Sequence, residues 1–286
     1  MPIYKINTRS SKINSCYLRI DAIKALYKLI DEKVNEALKY ELEDSPILKS
    51  LPENQIKEHQ DRIKQYFKLG VLVKGTMGEY LTGDDISLFD DESFPKNIEE
   101  IVFDSSYIFR QMTGQEPRNK IIIQFDFKKQ KIFDFSNPAS QQDPNTSSIN
   151  VAGYNDTWVN GVYAQIKNFL KEIKLKRNWL HKRIVYDFYL YLVFYPITFW
   201  CIYRVSEFMK GKIGTVLSIG IYLYIFFFIL FLLRLLFNYT RWIFPLLEFI
   251  PKSGTKMGRH RTILTIILLG TISSLLYDVI KAILKG

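Results

Sequence analysis

Cysteine is scarce in this chain: Cys16 and Cys201 are the only two among 286 residues, and they lie in different halves. That excludes a disulfide framework, and both are read as reduced thiols. Histidine is nearly as rare. His59, His181 and His260 are far apart in sequence, and no Cys/His group has the spacing of zinc ligands. A nucleotide phosphate loop is also missing, because PKSGTKMGRHR (251–261) lacks the GxxxxGK order and follows no soluble strand; it reads as a flexible basic connector. The opening MPIYKINTRSSKINSC contains no apolar core of seven residues, so no secretory signal peptide is expected and the amino-terminal part should stay in the cytoplasm. There is no internal repeat.

Acidic residues are nearly absent from the second part of the chain. Residues 1–165 carry 21 Lys and Arg against 24 Asp and Glu, a net of −3; residues 166–286 carry 18 against 5, a net of +13. The whole +10 therefore sits beside the long apolar runs, where basic residues flanking membrane spans explain it without a nucleic-acid surface. Ile213 to Leu233 is 21 residues without a charge, roughly 31 Å of helix, the thickness of a bilayer core. Phe188 to Tyr203 is a second uncharged run, with Pro196 expected to kink it. Thr262 to Tyr277 is a third, either a span or an interfacial helix. Seven basic residues between Lys167 and Arg183 precede the first run and five follow the second between Asn238 and Arg261, which orders the chain inside, outside, inside.

In the third run Thr271, Ser274, Asp278 and Lys281 are spaced 3, 4 and 3 apart and share one helix face. Such a stripe either glues helices together or lines a pore after oligomerisation.

The water-facing part predicts an α+β domain. Residues 2–8 and 13–20 read as an amino-terminal hairpin, Asp21 to Tyr40 as a helix on apolar spacings of 3 and 4, and a second helix starts near Ser50 and stops at Gly70. Short strands follow at Val71 to Val73, at Tyr80 and Leu81, and at Tyr107 to Phe109. Lys120 to Phe127 alternates cleanly and is expected to return through a three-residue loop, pairing Phe125 with Phe133 and Ile123 with Phe135. Ile149 to Val151 adds a strand. From Asp156 as N-cap an amphipathic helix should run toward the first span as a stiff connector. The expected parts are thus a sensing domain (1–155), a connector (156–183) and an all-α membrane domain (184–286) of two to three transmembrane helices.

Nothing here spells out catalysis. Nine carboxylates between Glu79 and Asp104 include the pairs Asp84/Asp85 and Asp90/Asp91, more ordinarily a solvated acidic face than a cation site. No cofactor is expected. Two basic groups stand out in the acidic domain, Lys5, Arg9 and Lys12 in the first and Arg118, Lys120, Lys128, Lys129 and Lys131 in the second. Brought together they would hold an anionic ligand; apart, they are a solvated balance to the acidic face.

IFDFSNPAS (132–140), then SSINVAGYNDTWVNGVYAQIKNFLKEIKLKRNWLHKR (147–183), and then apolar helices resemble the membrane effector subunit of Hailong anti-phage defence. About 50 residues and the overall layout carry the resemblance. It implies a non-enzymatic, homo-oligomeric effector of abortive infection, a tetramer by analogy, in the cell inner membrane. It also implies gating by a single-stranded DNA oligomer or nucleotide from a partner nucleotidyltransferase. A membrane-tethered binding scaffold without pore activity is the alternative, and a membrane-bound hydrolase using the acidic pairs a third.

Overall fold

The computed structural model describes residues 5–44, 52–129, 131–133, 145–175, 178–251 and 257–285. Its amino-terminal part is an α+β domain built on a six-stranded antiparallel sheet, ordered β1-β7-β6-β5-β3-β4. The strands are β1 (Asn7–Lys12), β3 (Gly70–Gly75), β4 (Tyr80–Gly83), β5 (Ile98–Asp104), β6 (Lys120–Asp126) and β7 (Ser148–Gly153). Side chains alternate across each central strand. Val71, Val73, Ile101, Phe103, Ile121, Ile123, Phe125, Ile149 and Val151 are buried on one face. Against that face pack α1 (Ile20–Asp44), through Ile23, Leu26, Ile30 and Val34, and α4 (Asp156–Glu172), through Trp158, Val159, Val162, Ile166 and Leu170. The apolar positions of both helices recur at 3 and 4, so one stripe is buried along each length. The helix expected as a stiff connector is thus a wall of the core.

Two shorter α-helices among the described residues belong to the domain. α2 (Glu53–Tyr66) begins directly after Pro52 and buries Ile63. Here His59 is half-buried on the helix. α3 (Tyr107–Thr113) replaces the strand expected at Tyr107 to Phe109; Gly114 ends it with φ of 69°, a left-handed cap that glycine takes without strain. The true strand of this region is β5, whose IEEIVFD lies inside the acidic stretch.

Two pairing expectations are corrected. Among the described residues no amino-terminal hairpin forms. β1 pairs with β7, from Asn7 opposite Gly153 to Lys12 opposite Ser148, while β2 (Cys16–Arg19) leaves the main sheet. Between them the Ile13 amide bonds to Ser147 O and Ser15 Oγ to Leu175 O, so the chain is led away instead of reversing. Nor does β6 return through a three-residue loop: it pairs with β5 and β7. Phe133 is exposed in a turn and Phe135 lies outside the described residues.

The second sheet joins the two parts of the molecule. β2 pairs in parallel with β8 (Leu247–Ile250), Cys16 opposite Leu247 and Leu18 opposite Phe249. β8 follows the second apolar helix in sequence, yet Leu246 and Leu247 belong to the core cluster and the Phe249 ring lies 6.4 Å from Phe94 and 6.2 Å from Phe127. The α+β core thus contains chain from both sides of the apolar helices.

Those helices are α5 (Arg183–Met209) and α6 (Thr215–Ile243), both long and apolar enough to cross a membrane. They form an antiparallel hairpin, with Gly211 at φ of 75° in the loop between them. Pro196 does not break α5. Residues Leu190–Phe194 form a π-helical turn just before it, in which the Tyr195 amide bonds back to Leu190 O. That wider turn accommodates a residue that lacks an amide hydrogen and whose ring crowds the preceding carbonyls. The most apolar stretch of α6 has no buried residue. α7 (Met257–Lys285) contains all four members of the polar stripe. Ser274 is exposed and Lys281 places its ammonium 5.9 Å over the Tyr277 ring, while the side chains of Thr271 and Asp278 lie outside the described residues.

Candidate functional site

The basic residues picked from sequence fall in three places. Lys5 precedes β1. On β1, Lys12 lies across Ser148 from Gln124, so it shares the open sheet face with Lys120, four residues along β6. Arg9 points to the helical face, where its Nε donates to Asn160 Oδ1 at 2.7 Å. Lys120 is held by Glu116 at 3.0 Å and Lys128 by Glu99 at 3.4 Å. Of the two alternatives read from sequence, Lys12 and Lys120 lie on one sheet face with β7 between them, while Arg9 lies on the other face.

Arg118 lines a cleft of about 330 Å³ together with Tyr40, Asn119, Tyr154 and Asn155, the first candidate site. The Arg118 guanidinium lies 4.8 Å over the Tyr154 ring, and its backbone amide donates to Glu41 Oε2 at 2.9 Å. Burial raises the Glu41 carboxyl pKa, with Arg118 pulling the other way. Asn119 is buried and accepts the Tyr154 amide at 3.1 Å, while Asn155 caps α4 by accepting the Trp158 amide at 3.0 Å, so the cap expected at Asp156 falls one residue earlier. A cation, two phenol rings and two carboxamides suit a small planar or anionic ligand. At the floor, a β-carbon on Gly153 would collide with the Asn119 carboxamide. We therefore expect Gly153→Ala to displace Asn119 and to cost about 1–3 kcal/mol in thermal unfolding. Wild-type stability in that variant would contradict the packing.

The second site is where the hairpin meets the domain, at the last two turns of α6. A helix end exposes carbonyls without intrahelical partners and carries partial negative charge. Cationic and polar groups from elsewhere meet it. Arg261, from the first turn of α7, donates to Ile243 O through Nε at 3.2 Å and Nη2 at 2.9 Å, and the same Nη2 bridges both Glu248 oxygens at 2.8 Å. His181 Nε2 lies 2.7 Å from Phe244 O; since a carbonyl only accepts, Nε2 carries the proton. Arg241, almost wholly buried, donates from Nε to Leu180 O at 3.4 Å and stacks 4.5 Å over Phe237. On the other side Asn238 Nδ2 donates to Ile132 O at 3.2 Å, Lys129 Nζ lies 5.9 Å from the Trp242 ring, and His260 Nδ1 contacts Tyr239 Oη at 2.9 Å. Residues 257–261, read from sequence as a flexible connector, are therefore an ordered helical turn.

Sequence reasoning missed Glu248 and Arg261 altogether. One signal was available: Glu248 is the sole acid among the basic residues between Asn238 and Arg261.

The acidic pairs perform structural duties. Asp85 and Asp91 accept the amides of Ser87 and Ser93 at 2.7 Å each, Asp84 pairs with Lys68 at 2.7 Å, and Asp90 with Lys24. Among the described residues no group of three or more His, Cys, Asp or Glu is placed to hold a metal ion. Cys16 is buried in β2, and burial pushes its thiol up to about 12, far from a reactive thiolate.

The architecture thus defines a class: an α+β domain carried on a two-helix apolar hairpin and interlocked with the chain that follows it. No protein-family model, curated protein or solved structure matches the chain.

Proposed function

We propose that this protein is a membrane effector in which the α+β domain reads a ligand and sets the packing of the α5–α6 hairpin. A single observation supports it best: the domain holds both ends of the hairpin. His181 and Leu180, just before α5, bond to Phe244 O and Arg241 at the end of α6, and β8 beyond α6 is a strand beside β2. A displacement of β2 on ligand binding is passed to α6 through β8, three residues beyond its end, and to the start of α5 through the His181 and Leu180 bonds. A ligand acts by binding one arrangement more tightly than the other.

The Arg118 cleft is the ligand's place in this reading. Two helices cannot enclose a conduit, so the output requires several copies. Phe188, Tyr191, Leu192, Phe227, Phe228 and Phe231, exposed on the hairpin, supply surface for lipid and for neighbours. In the setting that the Hailong resemblance implies, the assembly permeabilises the inner membrane in abortive infection. The domain faces the cytoplasm, and a single-stranded DNA oligomer or nucleotide from a partner nucleotidyltransferase controls it. No cofactor enters this reading.

Purified full-length protein in dye-loaded liposomes tests the proposal. We expect leakage that depends on protein density and changes on adding a short single-stranded DNA or a nucleotide, with Arg118→Ala abolishing the ligand's effect. Tight vesicles under all of these conditions would instead favour a tethered scaffold.

A further inference from the structure

Lys129 and Lys131 were singled out as part of an anionic-ligand patch, but the fold puts them somewhere more specific. Lys129 and the segment from Lys131 to Phe133, both in the β6–β7 connection, lie at the end of α6, where Asn238 bonds to Ile132 O and Lys129 lies over Trp242. Depth along α6 follows from helix geometry. Thr215 to Arg234, the first charged residue of α6, is 20 residues or about 30 Å, which fills a bilayer's hydrocarbon core. Asn238 and Trp242 then lie about 6 and about 12 Å further along the axis, at and just beyond the headgroup layer.

Three observations converge at that level. Lys129 and Lys131 are exposed, and neither has an acidic side chain within ion-pair distance among the described residues. Glu248, whose charge acts on Lys129, is already bridged by Arg261. Aromatic side chains stand beside the cations: Phe133 is 73% exposed, and Trp242 is half-buried with Tyr239 stacked 6.0 Å away. The α5 start adds exposed Lys182 and Arg183, tied to the same helix end through His181. Cations to meet phosphate, with amphipathic rings at the same depth, are what an anionic leaflet selects. Bases also stack on an exposed aromatic ring, so an oligonucleotide is the competing occupant that the test below separates from lipid.

We propose that Lys129, the segment from Lys131 to Phe133 and the Trp242 end of α6 form a binding site for an anionic phospholipid headgroup, which fixes the domain against the bilayer surface. The site rests on the hairpin standing in a bilayer and not on the effector reading, so it survives if no leakage is found. It also removes Lys129 and Lys131 from the ligand-sensing role, leaving that to Arg118.

Native mass spectrometry of the detergent-extracted full chain, titrated with phosphatidylglycerol or phosphatidylcholine, reads the site directly. The expected result is a roughly thirtyfold preference for phosphatidylglycerol, the scale that two basic side chains at an anionic surface supply. Lys129→Gln/Lys131→Gln should lose it; Lys129→Arg/Lys131→Arg and Lys12→Gln/Lys120→Gln should keep it. Inorganic phosphate at matched concentration should not displace the lipid. An equal preference in the Gln pair, no preference in the wild type, displacement by inorganic phosphate, or a thymidine oligonucleotide bound with the same lysine dependence would each overturn the proposal.

Discussion

Leu247→Asp is expected to destabilise the folded chain by about 4 kcal/mol or more. Leu247 is 3% exposed, lies opposite Cys16 in the parallel pair, and belongs to the same core cluster as Leu18 and Phe127. An aspartate there has no cation to meet, so β8 must leave the core and expose Phe94 and Phe127 to water. Thermal unfolding and limited proteolysis of the detergent-extracted protein should show a lower midpoint and new cleavage near residues 244–251. Leu247→Met, which keeps volume and apolarity, should cost less than about 1.5 kcal/mol. If Leu247→Asp unfolded like the wild type, β8 would be a linker and the domain would not grip the hairpin.

Glu248→Ala is expected to have the next largest effect, about 3 kcal/mol. Glu248 is 5% exposed, pairs with Arg261 and acts on the Lys129 charge. Removing the carboxylate leaves the Arg261 guanidinium at the helix end without that partner. Arg261→Ala loses the same ion pair together with the bonds to Ile243 O, and the double variant should not reach the sum of the two single losses. A coupling energy of about 1–3 kcal/mol from the double-mutant cycle is expected. A coupling near zero would mean that the pair is incidental to the fold.

These two positions also show where sequence reasoning reached its limit. The long helices were legible because burial on one side imposes a 3 and 4 spacing: Ile23, Leu26, Ile30 and Val34 stand in α1 as their spacing required. β6 was equally clear from Ile121, Ile123 and Phe125. What alternation cannot carry is the identity of the partner. Lys120 to Phe127 looked ready to fold back at once, yet its partner begins at Ser148, and the register is set by bonds such as that from the Asp126 amide to Ser147 Oγ. β1, NTRSSK, is an edge strand with little to bury, so it shows no alternation and its backbone alone makes the pairing.

Segments with mixed signals misled in other ways. The aromatic run Tyr107 to Phe109 has strand propensity, but a helix ended by Gly114 buries Phe109 against Phe67 at 5.7 Å between ring centroids. The nine carboxylates from Glu79 to Asp104 hid β5, whose Ile98, Ile101 and Phe103 point inward while Glu99 and Glu100 face Lys74 and Gln124. β8 is four residues between an apolar helix and Pro251, too short for a period to register, and its meaning comes entirely from β2, more than two hundred residues earlier. The candidate site was legible as residue types only: Arg118 was among the chosen cations, but Tyr40, Asn119 and Tyr154 reach it through the fold.

Hydrogen exchange on the full-length protein in lipid tests the interlock most directly. If β8 is a strand of the domain, peptides covering 16–19 and 247–250 should be protected together and should lose protection together in Leu247→Asp. Rapid exchange of 247–250 beside a protected six-stranded sheet would contradict it, because the domain would then hang from α5 alone.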